Sequence, residues 1–524
     1  MTGAATFLRA FLRRDRWQVI WWALGAAMLY YSQAVSVKGL YTTQAEFDKA
    51  AASMEGNTAF IAMAGPARAL DTIGGQVMWQ ASAFGAIVVG LMSMFLIGRH
   101  TRAEEESGRD ELLRGSAVSR HASLTAALSN ALLANVVVGA LVAVSLVSFP
   151  LAASDSIAVG VGLALCGFVF TGTALVAAQL TSSTRSMYGV AGTVIAVAYA
   201  LRAIGDVGNP VLSWLSPIGW YQAMHPYSGL RWWPALLLLA LAAAATGAAY
   251  VLFGRRDFGS GLWAARPGPD RAEPALSTAL GFAWWLQRTS ILGWTVGIAL
   301  LGLAYGSIGD DVGTLIGDSS ASQDVFVQGG GSLVDGFYAV AIAVIALVGA
   351  GFTVSSALRP RSEEEEGRVE ALLATGLSRR RWLLAQVAVT VVGTLLVLVG
   401  GGLGLGLGYA MVTGDGGRIG QLLLGTVGYV APSLVLAGFA RLLFGVLPRW
   451  AFLAWLALGL GVVMVFFGPL FKMPDWVQGI SPYHHLALVP AEPFRWTPFV
   501  VLLVVAAALS TAGRLGFLRR DVGS

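Results

Sequence analysis

Long apolar runs separated by short polar segments fill this chain. A hydrocarbon core about 30 Å thick needs roughly 20 mostly apolar residues per helix. On that measure the pattern predicts about twelve membrane-spanning helices. The first six lie near residues 17–37, 76–98, 121–151, 156–181, 187–205 and 233–253. The second six lie near residues 288–307, 335–358, 382–412, 419–445, 450–471 and 496–514, and the long third and ninth runs leave room for extra turns.

Each half begins with a candidate amphipathic helix ahead of its first span. In the first half, the apolar face holds Phe7, Leu8, Phe11 and Leu12, and another face holds Arg9, Arg13 and Arg16. Such a segment is typical of a helix that lies in the membrane interface. The second is weaker and consists of Leu276, Leu280 and Trp284 before Arg288.

Composition excludes the soluble classes. Of the 524 residues, 56% are apolar and only 12% are charged, whereas a soluble globular chain has about 25% charged residues. A soluble enzyme, a disordered chain and a fibre are therefore excluded, and we expect an all-α polytopic membrane protein. The single cysteine, Cys166, lies in an apolar run, which leaves no disulfide framework and no thiolate metal site.

The positive charge follows the predicted topology. The net charge of +5 comes mostly from arginines in short blocks between apolar runs, which is typical of topology determinants rather than of a nucleic-acid surface. Most of these arginines lie in loops on the side of the N terminus. We therefore expect a multi-pass protein of the plasma membrane with both termini in the cytoplasm, in contact with membrane lipid and not with nucleic acid.

The chain contains an internal duplication. Residues 102–124 and 361–383 share 11 of 23 residues at an offset of 259. Two more pairs follow in the same order: Arg231-Trp232-x-Pro234 with Arg495-Trp496-x-Pro498, and Arg255-Arg256-Asp257 with Arg519-Arg520-Asp521. We predict two six-span repeats, residues 1–260 and 275–524, joined by a cytoplasmic linker at 261–274. Because six spans is an even number, the repeats should be related by a pseudo-twofold axis along the membrane normal.

The repeated acidic segments between the second and third spans of each half are the most informative polar residues. Alone, such clusters are typical of a solvated loop, but a solvated loop needs no fixed residue order. Glu105 and Glu364 each precede an arginine by four residues, which favours a helix. Gly108 and Gly367 at matching positions predict a bend or a close backbone approach, because glycine is unfavourable inside a helix.

The pattern E-E-E-x-G-R-x-E-x-L at this place resembles the coupling-helix region of ABC exporter permeases, and the duplicated layout resembles the actinobacterial polyketide-antibiotic and multidrug exporter permeases. The resemblance implies that the segments dock on two copies of a cytoplasmic ABC ATPase. The residues implied for one ATPase are Glu104, Glu105, Glu106, Gly108, Arg109 and Glu111. Those implied for the other are Glu363, Glu364, Glu365, Gly367, Arg368 and Glu370.

The chain has no ATP-binding loop of its own. A P-loop ends in Gly-Lys-Ser or Gly-Lys-Thr, and none of the three lysines, Lys38, Lys49 and Lys472, follows a glycine. We therefore expect no cofactor and no catalytic residue in this chain, with ATP and magnesium on the partner ATPase. The glycine run 400–408 has small residues every four positions and predicts close helix packing, as do Gly293 and Gly297. The five histidines show no metal-ligand spacing.

Two functions remain open. The first is the permease subunit of an ATP-driven exporter that moves amphipathic or hydrophobic compounds, such as antibiotics or drugs, by alternating access. The second is an ATP-independent secondary carrier or a lipid-modifying membrane enzyme, although the predicted spans hold almost no acidic residues or histidines. Soft side chains suit an apolar, poorly specified substrate. The candidate path residues are Met78, Trp79, Phe84 and Met92.

Overall fold

A computed structural model describes residues 3–40, 43–55, 58–108, 118–257, 259–263, 270–309, 332–467 and 473–521. These residues form helices and connecting turns, with no strand among them. The chain divides into two compact units, residues 1–268 and 269–524. The division falls inside the predicted linker.

The first unit contains eleven α-helices within its described residues. They are α1 (Ala4–Leu40), α2 (Gln44–Glu55), α3 (Thr58–Ala64), α4 (Ile73–His100), α5 (Arg102–Glu106), α6 (Ala122–Ser148), α7 (Ala153–Leu180), α8 (Thr184–Val207), α9 (Pro210–Ser213), α10 (Pro217–Gln222) and α11 (Trp233–Arg255). Helices α4 and α7 are mostly buried and form the centre, whereas α11 is mostly exposed at the periphery.

The second unit follows the same order of long helices. Its described α-helices are α12 (Ala279–Gly306), α13 (Leu333–Glu365), α14 (Arg368–Leu373), α15 (Arg379–Thr413), α16 (Ile419–Gly428), α17 (Val430–Val446), α18 (Leu453–Phe467), α19 (Asp475–Gln478) and α20 (Trp496–Arg519). Helix α13 is the most buried span, and α20 is mostly exposed. Serine and threonine caps begin several of the long helices: Thr72, Ser183, Thr278, Ser332 and Ser378 each accept a hydrogen bond from a backbone amide of the first turn.

Eleven helical segments of the described residues are long and apolar enough to cross a membrane. They correspond to the second to twelfth predicted spans, and they confirm the polytopic all-α class. The predicted first span lies inside α1, which is long enough at 37 residues but less hydropathic than the others. The ninth predicted span is one unbroken helix, α15, and the tenth is divided at Tyr429 between α16 and α17.

The two predicted amphipathic helices are not separate elements, because each continues into the span that follows it. Residues 4–40 form one continuous helix, and so do residues 279–306. The buried carboxylate of Asp15 explains the first case, because it accepts hydrogen bonds from His100 and from Asn130, the latter at 2.8 Å, and lies 3.0 Å from Arg99. Phe11 stacks on His100 at a centroid distance of 3.8 Å. These contacts hold the first turns of α1 against α4 and α6.

The predicted close packing of glycines is confirmed for the glycine run of α15. It is wrong for Gly293 and Gly297 of the neighbouring helix α12. A Cβ on Gly404 would lie 2.0 Å from the Ala299 carbonyl oxygen, and one on Gly302 would lie 2.2 Å from the Gly401 carbonyl oxygen. Helices α12 and α15 therefore approach each other at backbone distance. A Cβ on Gly293 or Gly297 would meet no described atom within 4 Å, so these two glycines take no part in the contact.

Candidate functional site

Both acidic segments contain a short helix and a glycine bend. In the first unit α5 ends at Glu106, and Gly108 follows with a φ of +70°. In the second unit α13 extends through Pro360 to Glu365, so its glutamates lie on the spanning helix rather than in a loop, and Gly367 has a φ of +70°. This region of φ favours glycine. No described atom lies within 4 Å of a Cβ at either glycine, so the bend is confirmed and the close approach is wrong.

One glutamate of each segment faces inward and binds an arginine at the end of the unit. Glu364 accepts two hydrogen bonds of 2.6 Å from Arg520, which caps α20. Glu105 likewise accepts from both terminal nitrogens of Arg256, which caps α11. The side chains of Glu105 and Glu364 are only 6% and 4% exposed. These two carboxylates therefore stabilise the bends from inside the protein.

The two arginines have matching surroundings. The guanidinium of Arg256 lies 5.3 Å from the ring centroid of Phe253, and that of Arg520 lies 5.2 Å from that of Phe517. Arg256 and Arg520 belong to the repeated Arg-Arg-Asp motif, for which the sequence alone predicts no role. Each arginine lies 151 or 156 residues from its glutamate, so no local pattern connects the two. The one signal in the sequence is that both the glutamates and the arginines recur in the second half.

The other acidic residues differ in exposure, and the exposed Glu365 and Glu366 pair with Arg361 and Arg368. Glu104 binds Arg14 of α1, Glu106 accepts a hydrogen bond of 2.9 Å from the Thr184 amide, and Glu363 binds Arg359 at 2.8 Å and Arg368 at 2.5 Å. The exposed surface of the second segment consists of Glu365, Glu366, Gly367, Arg368 and Glu370. We call these five residues the acidic face. The predicted docking residues Arg109 and Glu111 lie outside the described residues.

The second bend rests on an apolar cluster. Val369, in the first turn of α14, is fully buried and packs with Trp382 of α15, Phe444 of α17 and Phe517 of α20. A displacement of α14 would therefore press on three spans at once. The repeat itself gives no hint of this role, because Asp110 stands opposite Val369 in the first segment.

The candidate path residues lie in different surroundings. Met78 and Trp79 line a cavity of about 300 Å³ at the end of the first unit where α4 begins, and the indole of Trp79 donates to the Gly65 carbonyl at 2.7 Å. Phe84 is exposed on the outside of the unit, and Met92 is fully buried in its core. Only Met78 and Trp79 are therefore brought together at a space that a ligand could enter. Because α4 has 28 residues, this cavity is about 40 Å from the acidic segment.

Charged side chains surround the cavity, and none of them was predicted from the sequence. Arg68, Asp206, His225 and Arg231 line it. Asp206 accepts a hydrogen bond of 2.6 Å from Ser213 and lies 3.5 Å from Arg202. Burial, together with the positive charges of Arg68 and Arg231, lowers the pKa of His225 to about 4. The imidazole is therefore neutral at pH 7, and both guanidiniums lie close enough to act on it.

The described residues contain no group of three His, Cys, Asp or Glu side chains suited to a metal ion.

A known multidrug efflux permease resembles this chain over nearly its whole length. The family described as "Multidrug efflux system permease Rv1217c, C-terminal domain" matches residues 276–518. The "Multidrug efflux system permease protein Rv1217c" of Mycobacterium tuberculosis is 40% identical over 526 aligned residues, which cover 99% of this chain and 95% of that protein.

Proposed function

Because the chain belongs to the family of the Rv1217c multidrug efflux permeases, we propose that it is the membrane-spanning permease subunit of an ATP-driven exporter. Its cargo is a set of amphipathic or hydrophobic compounds such as antibiotics or drugs, moved out of the cell by alternating access. The described spans and the efflux permease relative support a multi-pass membrane protein that is itself a transporter subunit rather than an enzyme.

The repeated bend is the observation that carries the ATP-driven part of this proposal. Both units have a glycine at φ +70° and a buried Glu–Arg pair at equivalent places. A chain that merely needs a solvated loop has no reason to build the same bend twice. Two equivalent bends suit two copies of a cytoplasmic ABC ATPase, which would bind the ATP and magnesium that this chain has no P-loop to hold.

The contacts beneath the second bend suggest how a docked ATPase would act on the membrane domain. Glu364 connects the bend to the end of α20, and Val369 connects α14 to α15, α17 and α20. A push on the acidic face therefore reaches three spanning helices through packed side chains. Since positively charged loops face the cytoplasm, we place the bends and both chain termini on that side of the plasma membrane.

The test is co-purification of the chain with a separate ATPase, followed by a measurement of ATP hydrolysis. Replacing whole glutamate clusters by alanine would not separate docking from folding, because Glu105 and Glu364 are buried in ion pairs, and breaking a buried pair costs about 3–5 kcal/mol. The better variant is Glu365→Lys with Glu370→Lys, since both side chains are exposed.

Glu273→Lys is the matched control, because Glu273 is an exposed acid outside the acidic face. We expect the double variant to lose most of the bound ATPase while keeping the thermal stability of the wild type, and the control to keep both. No ATPase with the wild type, under conditions that keep lipids bound, would refute the exporter subunit and favour an ATP-independent carrier. Equal ATPase recovery with all three chains would refute docking on the acidic face.

A further inference from the structure

The cavity at the start of α4 carries more positive than negative charge. Arg68 and Arg231 line it, and neither guanidinium has a hydrogen bond or an ion pair among the described residues. The one carboxylate of the lining, Asp206, binds Ser213 and Arg202, and its negative charge also acts on Arg68. Burial, and after it the charges of both guanidiniums, lower the pKa of His225, so its side chain is neutral at pH 7. Within the described part of the chain, the cavity therefore offers two donors of charge-assisted hydrogen bonds and one carboxylate, whose charge Arg202 and Arg68 share.

The second unit shows what would neutralise this charge. The repeat offset of 264 matches Arg231 with Arg495, and Arg495 lies 3.4 Å from the carboxylate of Glu492. The same offset places Ser228 of the cavity opposite Glu492. The first unit thus keeps the arginine and has a serine where the second unit has the acid that pairs with it. The absence of an acid at position 228 therefore contributes to the positive charge of the cavity in the first unit.

The remaining lining suits an apolar body. Met78, Trp79 and Trp214 border the same space as the arginines. A ligand with one acidic group and an apolar portion would satisfy both parts of the lining, since guanidinium groups bind carboxylate and phosphate in a forked geometry. Three residues of the surrounding loops other than glycine, Ala69, His225 and Tyr227, have positive φ, which shows that the backbone here is held in an unusual shape.

We propose that this cavity binds the anionic group of an amphiphile, a carboxylate or a phosphate, through Arg68 and Arg231. This proposal deepens the proposed function. It rests on that function only for the statement that the bound amphiphile is exported. The same chemistry is found in an exported acidic compound and in the headgroup of an anionic membrane lipid. Binding itself needs neither ATP nor an ATPase, so its failure can be distinguished from failure of the exporter proposal.

The experiment uses the full chain in nanodiscs of a zwitterionic lipid without nucleotide. The probe is dansyl-undecanoic acid, and its methyl ester is the uncharged control. An ion pair at a site open to water is worth up to about 1 kcal/mol, or about fivefold in affinity. With two arginines, we expect the acid to bind about twenty-five-fold more tightly than the ester. Equal binding of acid and ester would overturn the proposal.

Variants then locate the site. We expect Arg68→Gln and Arg231→Gln each to weaken the acid about fivefold and to leave the ester unchanged, and retained ester binding shows that each variant is folded. Ser228→Glu reproduces the acid of the second unit and should have the effect of Arg231→Gln, whereas Ser228→Gln should not. Arg495→Gln is the matched control. An equal effect of Arg495→Gln, or none of Arg231→Gln and Ser228→Glu, would overturn the proposal.

A second arm identifies the source of the anion. Nanodiscs that contain phosphatidylglycerol are compared with the zwitterionic ones. If this lipid competes with the acid probe in the wild type but not in Arg231→Gln, the site exists and its occupant is a lipid headgroup. If the affinity for the acid probe is the same in both kinds of nanodisc, the site exists and its occupant is an exported acidic amphiphile.

Discussion

Gly108 and Gly367 are constrained by backbone conformation and not by space. Both have a φ of +70°, and no described atom lies within 4 Å of a Cβ at either position. A residue with a Cβ costs about 1–2 kcal/mol in the left-handed region, and asparagine is among the side chains that adopt it most readily. The repeated glycines therefore set the direction in which the chain leaves α5 in the first unit and α13 in the second.

Substitutions at the two glycines can separate conformation from size. Gly108→Ala with Gly367→Ala should lower the ATP hydrolysis of the reconstituted complex, because a bend with another φ presents a different surface to the ATPase. Gly108→Asn with Gly367→Asn should keep most of it. The measurement is hydrolysis at equal amounts of bound ATPase. Gly297→Ala, in a helix with open space beside it, is the control and should be silent. Equal activity of the alanine and asparagine pairs would contradict the argument.

At the scale of elements, the contact between α12 and α15 depends on which glycines face it. Gly404→Val would place a side chain into the Ala299 carbonyl, at a point where a Cβ already falls 2.0 Å away. Overpacking of a tight contact typically costs about 1–3 kcal/mol. We therefore expect this variant to unfold at a lower temperature than the wild type in detergent. Gly293→Val, in the partner helix, is the control and should unfold at a temperature close to that of the wild type. A reversed order of the two would show that the helices pack on other faces.

The buried pair of Glu364 and Arg520 joins α13 to α20. Arg520→Gln leaves a buried carboxylate without its partner and should cost about 3–5 kcal/mol of stability. Glu364→Gln with Arg520→Gln should be less destabilising than Arg520→Gln alone, because no charge remains buried. The readout is the thermal unfolding midpoint of the purified chain. A double variant that is worse than the single one would refute the ion pair as the source of the loss.

The elements also show what a sequence can and cannot predict here. Apolar run length predicted the spans well, because a spanning helix must satisfy its backbone within itself. A spacing of four between small residues does not say which face meets a neighbour. Gly293 and Gly302 are nine residues apart, which is about half a turn out of phase, and only the second lies at the contact. The partners of Glu105 and Glu364 were not predictable from local pattern, since they lie more than 150 residues away.

At the scale of the whole molecule, duplication has kept one end of the units alike and let the other end differ. The bends keep the same glycine conformation and the same Glu–Arg pair. At the other end, Arg495 pairs with Glu492, whereas Arg231 lies in a cavity with Ser228 at the matching position. The proposed function predicts this division, with a docking bend in each unit and a binding surface in one of them. The family and the acidic segments were recognisable from sequence, but the cavity was not, because its lining comes from separate stretches between residues 64 and 231.

The number of spans decides whether the two chain termini lie on the same side of the membrane. Cysteine labelling measures on which side each position lies. Cys166 is fully buried, so the wild type offers a silent background, and Ala5, Ser277 and Asp475 are exposed positions for new cysteines. If α1 spans the membrane as the twelfth helix, a membrane-impermeant maleimide should label Asp475→Cys in intact spheroplasts. Ala5→Cys and Ser277→Cys should react only after permeabilisation.

Helix α1 decides that count, because its lower hydropathy separates it from the eleven other segments. Its packing argues that it crosses: Ala23, Ala26, Tyr30 and Ala34 are buried along one side against the core of the first unit. If α1 did not cross, the eleven remaining spans would keep their orientation and only the N terminus would lie on the opposite side. Labelling of Ala5→Cys from outside, with Ser277→Cys still protected, would therefore refute the span while leaving the rest of the topology intact.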